Sequence, residues 1–220
     1  HITLKAVTDI LVGDGTATGV DIATATAGTI SLDAEAGAVT MAGDSTITAA
    51  DSSLRVNAAT DITVSNLTAQ NVSLVADTGA LINAADSTMN VPATNLRIET
   101  DDAIGASDRH ITTTAATLTA LSTGTDAAGI YITETDTITV DTVTVTVTEF
   151  DKTAGTADVT DSAQSDLVTA ANNGNIVLVA GNTITLNDGT DADGQAVNAN
   201  GSGNILIDAN AGNIDINSDI

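Results

Sequence analysis

The sequence predicts an all-β chain, a β-solenoid wound in three-sided coils of about 21 residues. Three observations predict it: a gapless internal repeat, an aliphatic composition almost without rings, and very short strands separated by polar corners. Residues 30–62 recur at residues 72–104, an offset of 42 residues, with 12 of 33 positions identical. Leu32/Leu74, Gly37/Gly79, Asp44/Asp86, Leu54/Leu96 and Arg55/Arg97 are among the identities. A unit that repeats at such a period is one layer, or two, of a stack. Aromatics make up 1% of the chain, Tyr131 and Phe150 alone, yet 42% of its residues are hydrophobic. A thick core leans on large rings, whereas a narrow one lined by Ile, Val, Leu and Ala needs none. A pair of β-sandwich domains is the rival fold and would call for longer strands and a large buried ring in each.

The elements follow in order. Ile2 and Leu4 alternate as in a strand, Ile10–Val12 is a second apolar run, and Val20–Ile22 a third, with a turn at Gly13–Gly15. Residues 1–28 match the repeat poorly and read as an irregular coil. From residue 29 apolar anchors fall at Ile30, Val39, Ile47, Leu54, Ile62 and Leu67, six short segments in 42 residues. Ile30, Leu32 and Ala34 share one face and Ser31 and Asp33 the other, the period-two signature of a strand. Three such sides close one turn, so the unit is two equal turns. About ten turns stacked at roughly 4.8 Å give a rod near 50 Å long. Thr on outward positions suits extended backbone, and Asp and Asn suit corners.

The chain divides into coils over 1–112, irregular coils or an inserted hairpin or flap over 113–170, and coils again over 171–220. In the middle part, Val140–Val147 reads VDTVTVTV, a longer strand with Val143, Val145 and Val147 on one face. If it leaves the stack its edge is a template for pairing with another strand. In the last part Val177, Val179 and Leu206 point outward, which fits a covered face.

Charge restricts function. Twenty-nine acidic and five basic residues give a net charge of −24. Nucleic-acid binding lacks the basic patch that it requires, and anionic membrane surfaces are disfavoured. No apolar run is long enough for a membrane helix, and membrane insertion is not expected. The chain lacks cysteine, so disulfides and thiolate chemistry are out. Its start reads as a strand rather than a signal peptide, and both ends read as continuous with more of the same material.

Little chemistry is encoded. His1 and His110 stand apart, without metal-ligand spacing, and His110 reads as an exposed corner residue. No catalytic constellation is legible and the chain is not expected to be an enzyme. A glycosidase pair of carboxylates is always available by chance among 29 acids, but the aromatic sugar platforms are missing. The candidate metal ligands are Asp188, Asp191 and Asp193, in the segment NDGTDADG. Such a turn offers calcium its oxygens, although the spacing fits neither an EF-hand nor the glycine-rich calcium roll. No cofactor is required on this reading; calcium is the one candidate. Arg55 and Arg97 share a repeat position and are expected outward, paired with Asp of neighbouring turns.

The phrase Gly-Asn-Ile-x-Leu/Ile-x-Ala, carried by Gly28–Ala34, Val72–Ala76, Gly174–Ala180, Gly203–Ala209 and Gly212–Ile216, resembles the repeats of filamentous-haemagglutinin-like adhesins and of giant bacterial surface proteins. The resemblance implies a right-handed parallel β-helix, extracellular or at the cell surface, serving as a stalk, filament or adhesin scaffold. Its partners would be copies of itself, end to end or side by side, or a cell-surface receptor. A carbohydrate- or protein-binding module using the 113–170 insertion is the alternative function.

Overall fold

The apolar residues are collected into parallel ladders. The computed structural model describes residues 1–14, 19–84, 88–124, 129–171 and 173–220, and among these every regular element is a strand. Asp86 and the end of the Gly13–Gly15 turn lie outside the described residues. In one ladder Ile2, Ile30, Leu54, Val72, Leu96 and Leu118 stand side by side in parallel register. It continues through Val140, Leu186 and Ile216. A second ladder carries Ile10, Val39, Ile62 and Leu81, then Ile104 and Ile130 by single bridges, then Ile176 and Ile205. A third, shorter row joins Ile22, Ile47 and Leu67. The rows share one aliphatic core running from Val12 to Val197. Ile30 and Leu54 are neighbours in it, and both neighbours of Val39 are parallel.

The 42-residue unit divides unequally. Ile30 faces Leu54 and Leu54 faces Val72, steps of 24 and 18 residues rather than two of 21. Longer corners set the difference, chiefly 39–47 against 62–67 and 49–53 against 69–71. The long strand Thr46–Ala58 bends at Asp51, whose φ of 55° is left-handed, and its register slips between Ala49 and Ser53. Asp tolerates that conformation better than most residues. Residues 1–28 are more regular than expected: Ile2–Ala6, Ile10–Val12 and Asp21–Thr24 all join the ladders in parallel.

The repeated glycines have a shared cause. Asp9 Oδ1 accepts the Ala38 amide, and Asp61 Oδ1 accepts the Ala80 amide, both at 2.9 Å. Gly37 and Gly79 precede these amides and pass directly over the aspartate of the strand below. A Cβ on Gly79 would stand 2.6 Å from the Thr60 carbonyl carbon and 2.7 Å from the Asp61 nitrogen. Gly79→Ala should therefore cost roughly 1–3 kcal/mol, as overpacking does. Urea denaturation measures it, and a loss under about 0.5 kcal/mol, the level of an indifferent surface change, would contradict the assignment.

Within 113–170, Ile111–Thr113, Thr117–Ser122, Ile130–Glu134 and Ile138–Val140 continue the ladders. The departure is confined to an antiparallel hairpin of Val143–Phe150 and Thr156–Gln164. It springs from the middle of one sheet side. Val140 lies beside Leu118 and Leu167 beside Ala120, so residues 141–166 stand where Thr119 alone bridges the preceding strand. The next strand opens at the same point: Leu186 lies beside Val140 and Val197 beside Leu167, with residues 187–196 leaving between them.

The hairpin folds back across the outside of the main sheet rather than projecting from it. Val143, Val145 and Val147 are buried there, outside the main core. The outward row beneath runs Thr3, Ser31, Arg55, Ser73, Arg97 and Thr119. Small residues in that row admit the valines, and the arginines reach up. Arg55 Nε is 3.0 Å from each carboxylate oxygen of Asp161, and Arg97 Nε donates to the Ser162 carbonyl at 3.0 Å. Arg97 also pairs with Glu99 at 2.6 Å. Neither arginine pairs with an Asp of a neighbouring turn. The hairpin supplies the partner for Arg55, because it covers the face that the arginines occupy.

Candidate metal centre

The two excursions from the sheet meet at their roots. Asp166 closes the hairpin in a left-handed conformation, φ 70°, and its carbonyl accepts the Ala120 amide at 2.9 Å and the Thr119 hydroxyl at 3.0 Å. The second excursion is tied to this root. Thr190 N donates to Thr142 Oγ1 at 2.8 Å, and that oxygen lies 2.8 Å from Ser165 Oγ. Asn187 donates to Asp141 at 2.9 Å. Left-handed residues at Gly189 and Ala192 turn the loop back on itself.

This folding brings Asp191 and Asp193 to Asp166. One carboxylate oxygen from each lies within 4.8 Å of the others. Asp191 and Asp193 are exposed, but Asp166 is only 2% exposed, and its Oδ1 is buried without a hydrogen-bond partner. Burial, followed by the charges of Asp191, Asp193 and Asp188, pushes the Asp166 carboxyl up to about 8. The three line a cleft of about 450 Å³ with Gln164, Ser165 and Thr190. Asp188 is engaged elsewhere, because its Oδ1 accepts the Gly194 amide at 2.7 Å and closes the loop. Asp193 likewise accepts the Gln195 amide at 2.8 Å through Oδ1.

Two of the three aspartates singled out in the sequence thus converge, and the residue they converge on is not among them. Asp166 lies in the unremarkable stretch SAQSD. The signal that finds it is register, since residues 141–166 and 187–196 leave the sheet at one place on adjacent strands. His110 is half-buried rather than exposed. Its Nδ1 lies 2.8 Å from Thr133 Oγ1, and burial lowers its pKa. Among the described residues it belongs to no group that could hold a metal.

A second concavity lies under the hairpin tip. It has a volume of about 730 Å³ and is lined by Thr3, Lys5, Glu149, Phe150, Asp151 and Lys152 among others. Lys5 pairs with Glu149 at 2.7 Å, and Glu149 accepts the Ser31 hydroxyl at 2.6 Å. Among the described residues no helix is long and apolar enough to cross a membrane. No family model, curated protein or solved structure matches this chain.

Proposed function

We propose that the chain is a segment of a right-handed parallel β-helix, a β-solenoid of three-sided coils, that serves as a stalk, filament or adhesin scaffold of a secreted or cell-surface protein. The carrying observation is the single aliphatic core shared by parallel rows that the chain visits in turn. A chain that leaves a parallel strand and returns beside it does so right-handedly in nearly all proteins, which gives the coil its hand. Two coils fill 42 residues, an average of 21, and later ones are longer. Such a stack has a thin interior and every backbone ladder bond along its axis, so it resists bending. Its charge of −24 keeps a long particle soluble.

Open strand edges pair with whatever continues them. Among the described residues, Ile2–Ala6 and Ile214–Ile216 are the outermost strands of the main sheet. Ile214 and Ile216 are exposed there. Electron microscopy of the purified chain across a concentration series tests the reading. Rods that lengthen end to end are expected. Particles that stay compact and discrete at every concentration would overturn it.

The cleft beneath Phe150 supports the second reading, a carbohydrate- or protein-binding module using the hairpin. Among the described residues the outer hairpin strand Thr156–Gln164 pairs only with Val143–Phe150, an edge open to a partner strand.

A further inference from the structure

We propose that Asp166, Asp191 and Asp193 bind one calcium ion, which locks the root of the hairpin to the loop of the neighbouring strand. Clustered acids alone are ordinary on a surface with 29 of them. Asp166 is different because it is interior. Its Oδ1 is withdrawn from water and has no donor. Leaving such an atom unsatisfied has a real cost, and a greater one when it is charged. Among the described residues that line the cleft, none is a lysine or arginine that would compensate it. Instead two further carboxylates are brought against it by an otherwise well-bonded loop. Thr142, Ser165, Thr190 and Asn187 hold that loop in place, so the crowding of negative charge is built rather than incidental.

Donor type and coordination geometry select the ion. All three donors are carboxylate oxygens, the hard ligands that calcium and magnesium prefer to zinc or copper. Oxygens on one calcium lie about 2.3–2.6 Å from it, so two of them can be about 4.6–5.2 Å apart. The three oxygens lie within 4.8 Å of one another, close enough for one calcium ion to touch all of them. Magnesium demands octahedral order at about 2.1 Å and gives up its waters reluctantly, so an open, irregular set of three carboxylates suits calcium better. Three carboxylates provide up to six oxygens, and the open side of the cleft admits water for the rest. The loop is exposed, which suits the weak, extracellular range of calcium sites, with Kd about 10⁻⁴–10⁻³ M.

The whole chain, stripped with EDTA, is titrated with calcium chloride by calorimetry and by thermal melting. One site per chain and a saturable rise in Tm are expected, with a smaller response to magnesium at equal ionic strength. Asp193→Asn changes an exposed side chain and should weaken binding at least about tenfold, the scale of losing one ligand contact of about 1.4 kcal/mol. Asp166→Asn should abolish the calcium response. Asp77→Asn, distant from the cleft, should behave as the unaltered chain. No heat and no Tm change up to about 10 mM calcium, well above the weakest such sites, would overturn the proposal. So would an equal Tm rise in Asp193→Asn and Asp166→Asn, which marks general screening, or an equal response to magnesium. The electron-microscopy test of the scaffold reading does not depend on any of these outcomes.

Discussion

Val147→Asp should detach the hairpin from the sheet at a cost of roughly 3–4 kcal/mol, the scale of burying an unpaired charge, while the coils beneath stay folded. The strand Val143–Phe150 has eight residues and spans about 27 Å at roughly 3.4 Å per residue. Five gaps of about 4.8 Å separate the six sheet strands it crosses, about 24 Å in all. The lengths match, so one strand reaches from the row of Thr119 back to that of Thr3. At the near end Gln164 donates to the Ile98 carbonyl at 2.9 Å. At the far end Thr148 N and the Phe150 amide donate to Thr29 and Thr3 hydroxyls at 3.1 and 2.9 Å. Val147 is fully buried between these anchors. Burial of each valine contributes on the order of 1.5 kcal/mol, so the three set the scale of docking. Because they lie outside the main core, losing them leaves Leu54 and Leu74 packed. Hydrogen exchange reads the distinction: the Thr148 and Phe150 amides should lose protection while those of the sheet keep theirs. Global unfolding in step with the hairpin would contradict it.

The ladder is legible in the sequence because each coil must place an aliphatic residue at the same point. Ile30, Leu54, Val72 and Leu96 align from spacing alone, and they are register partners. The 24/18 division is not legible. It depends on corner lengths, 39–47 standing against 62–67 and 49–53 against 69–71, and apolar periodicity carries no record of corners. The Val/Thr alternation of VDTVTVTV announces a strand with one buried face. Alternation does not say what lies opposite, and nothing local tells a strand that joins a ladder from one that lies across it. The outward pair Arg55 and Arg97 holds the complementary clue, since a cation on a repeated outward position needs a partner. For Arg55 that partner is Asp161, 106 residues away on the hairpin, while Arg97 pairs with Glu99 nearby and also reaches the Ser162 carbonyl. Asp166 is hidden for the same reason. Its neighbours in space are set by the register of Leu167 against Val197, a non-local fact.

Stability should fall as pH rises from about 4.5 to 8, and Glu134 is the main cause that a single substitution can remove. Glu134 ends the strand Ile130–Glu134 on its inward face, between Thr113 and Ala180 in the ladder, and is 1% exposed. Oε1 accepts the Thr135 and Asp136 amides at 2.8 and 3.2 Å, while Oε2 is buried without a partner. Burial pushes the carboxyl up to about 8. The two amides oppose the shift, and the charge of Asp136 adds to it. Below about 4.5 the group is protonated whether the chain is folded or not. Between 4.5 and 8 the unfolded chain releases the proton and the folded chain keeps it, so each step up in pH favours unfolding. The folded state loses roughly 3–4 kcal/mol over that window. Glu149 works in the other direction. Its pKa is lowered, with Lys5 and Ser31 outweighing burial, so its stabilisation is lost only as the pH falls below the ordinary carboxylate range. The two effects occupy separate windows. Asp166 has the same sign as Glu134 when no cation is bound, so the experiment compares Glu134→Gln with the unaltered chain in saturating calcium. The glutamine retains an acceptor for the two amides and cannot ionise. Urea denaturation at intervals from about pH 4.5 to about 8.5 should show a falling curve for the unaltered chain and a much flatter one for Glu134→Gln, the two diverging most above about pH 8. Parallel curves would mean that Glu134 ionises in the folded protein as readily as in water, and that the inward carboxyl is solvated after all.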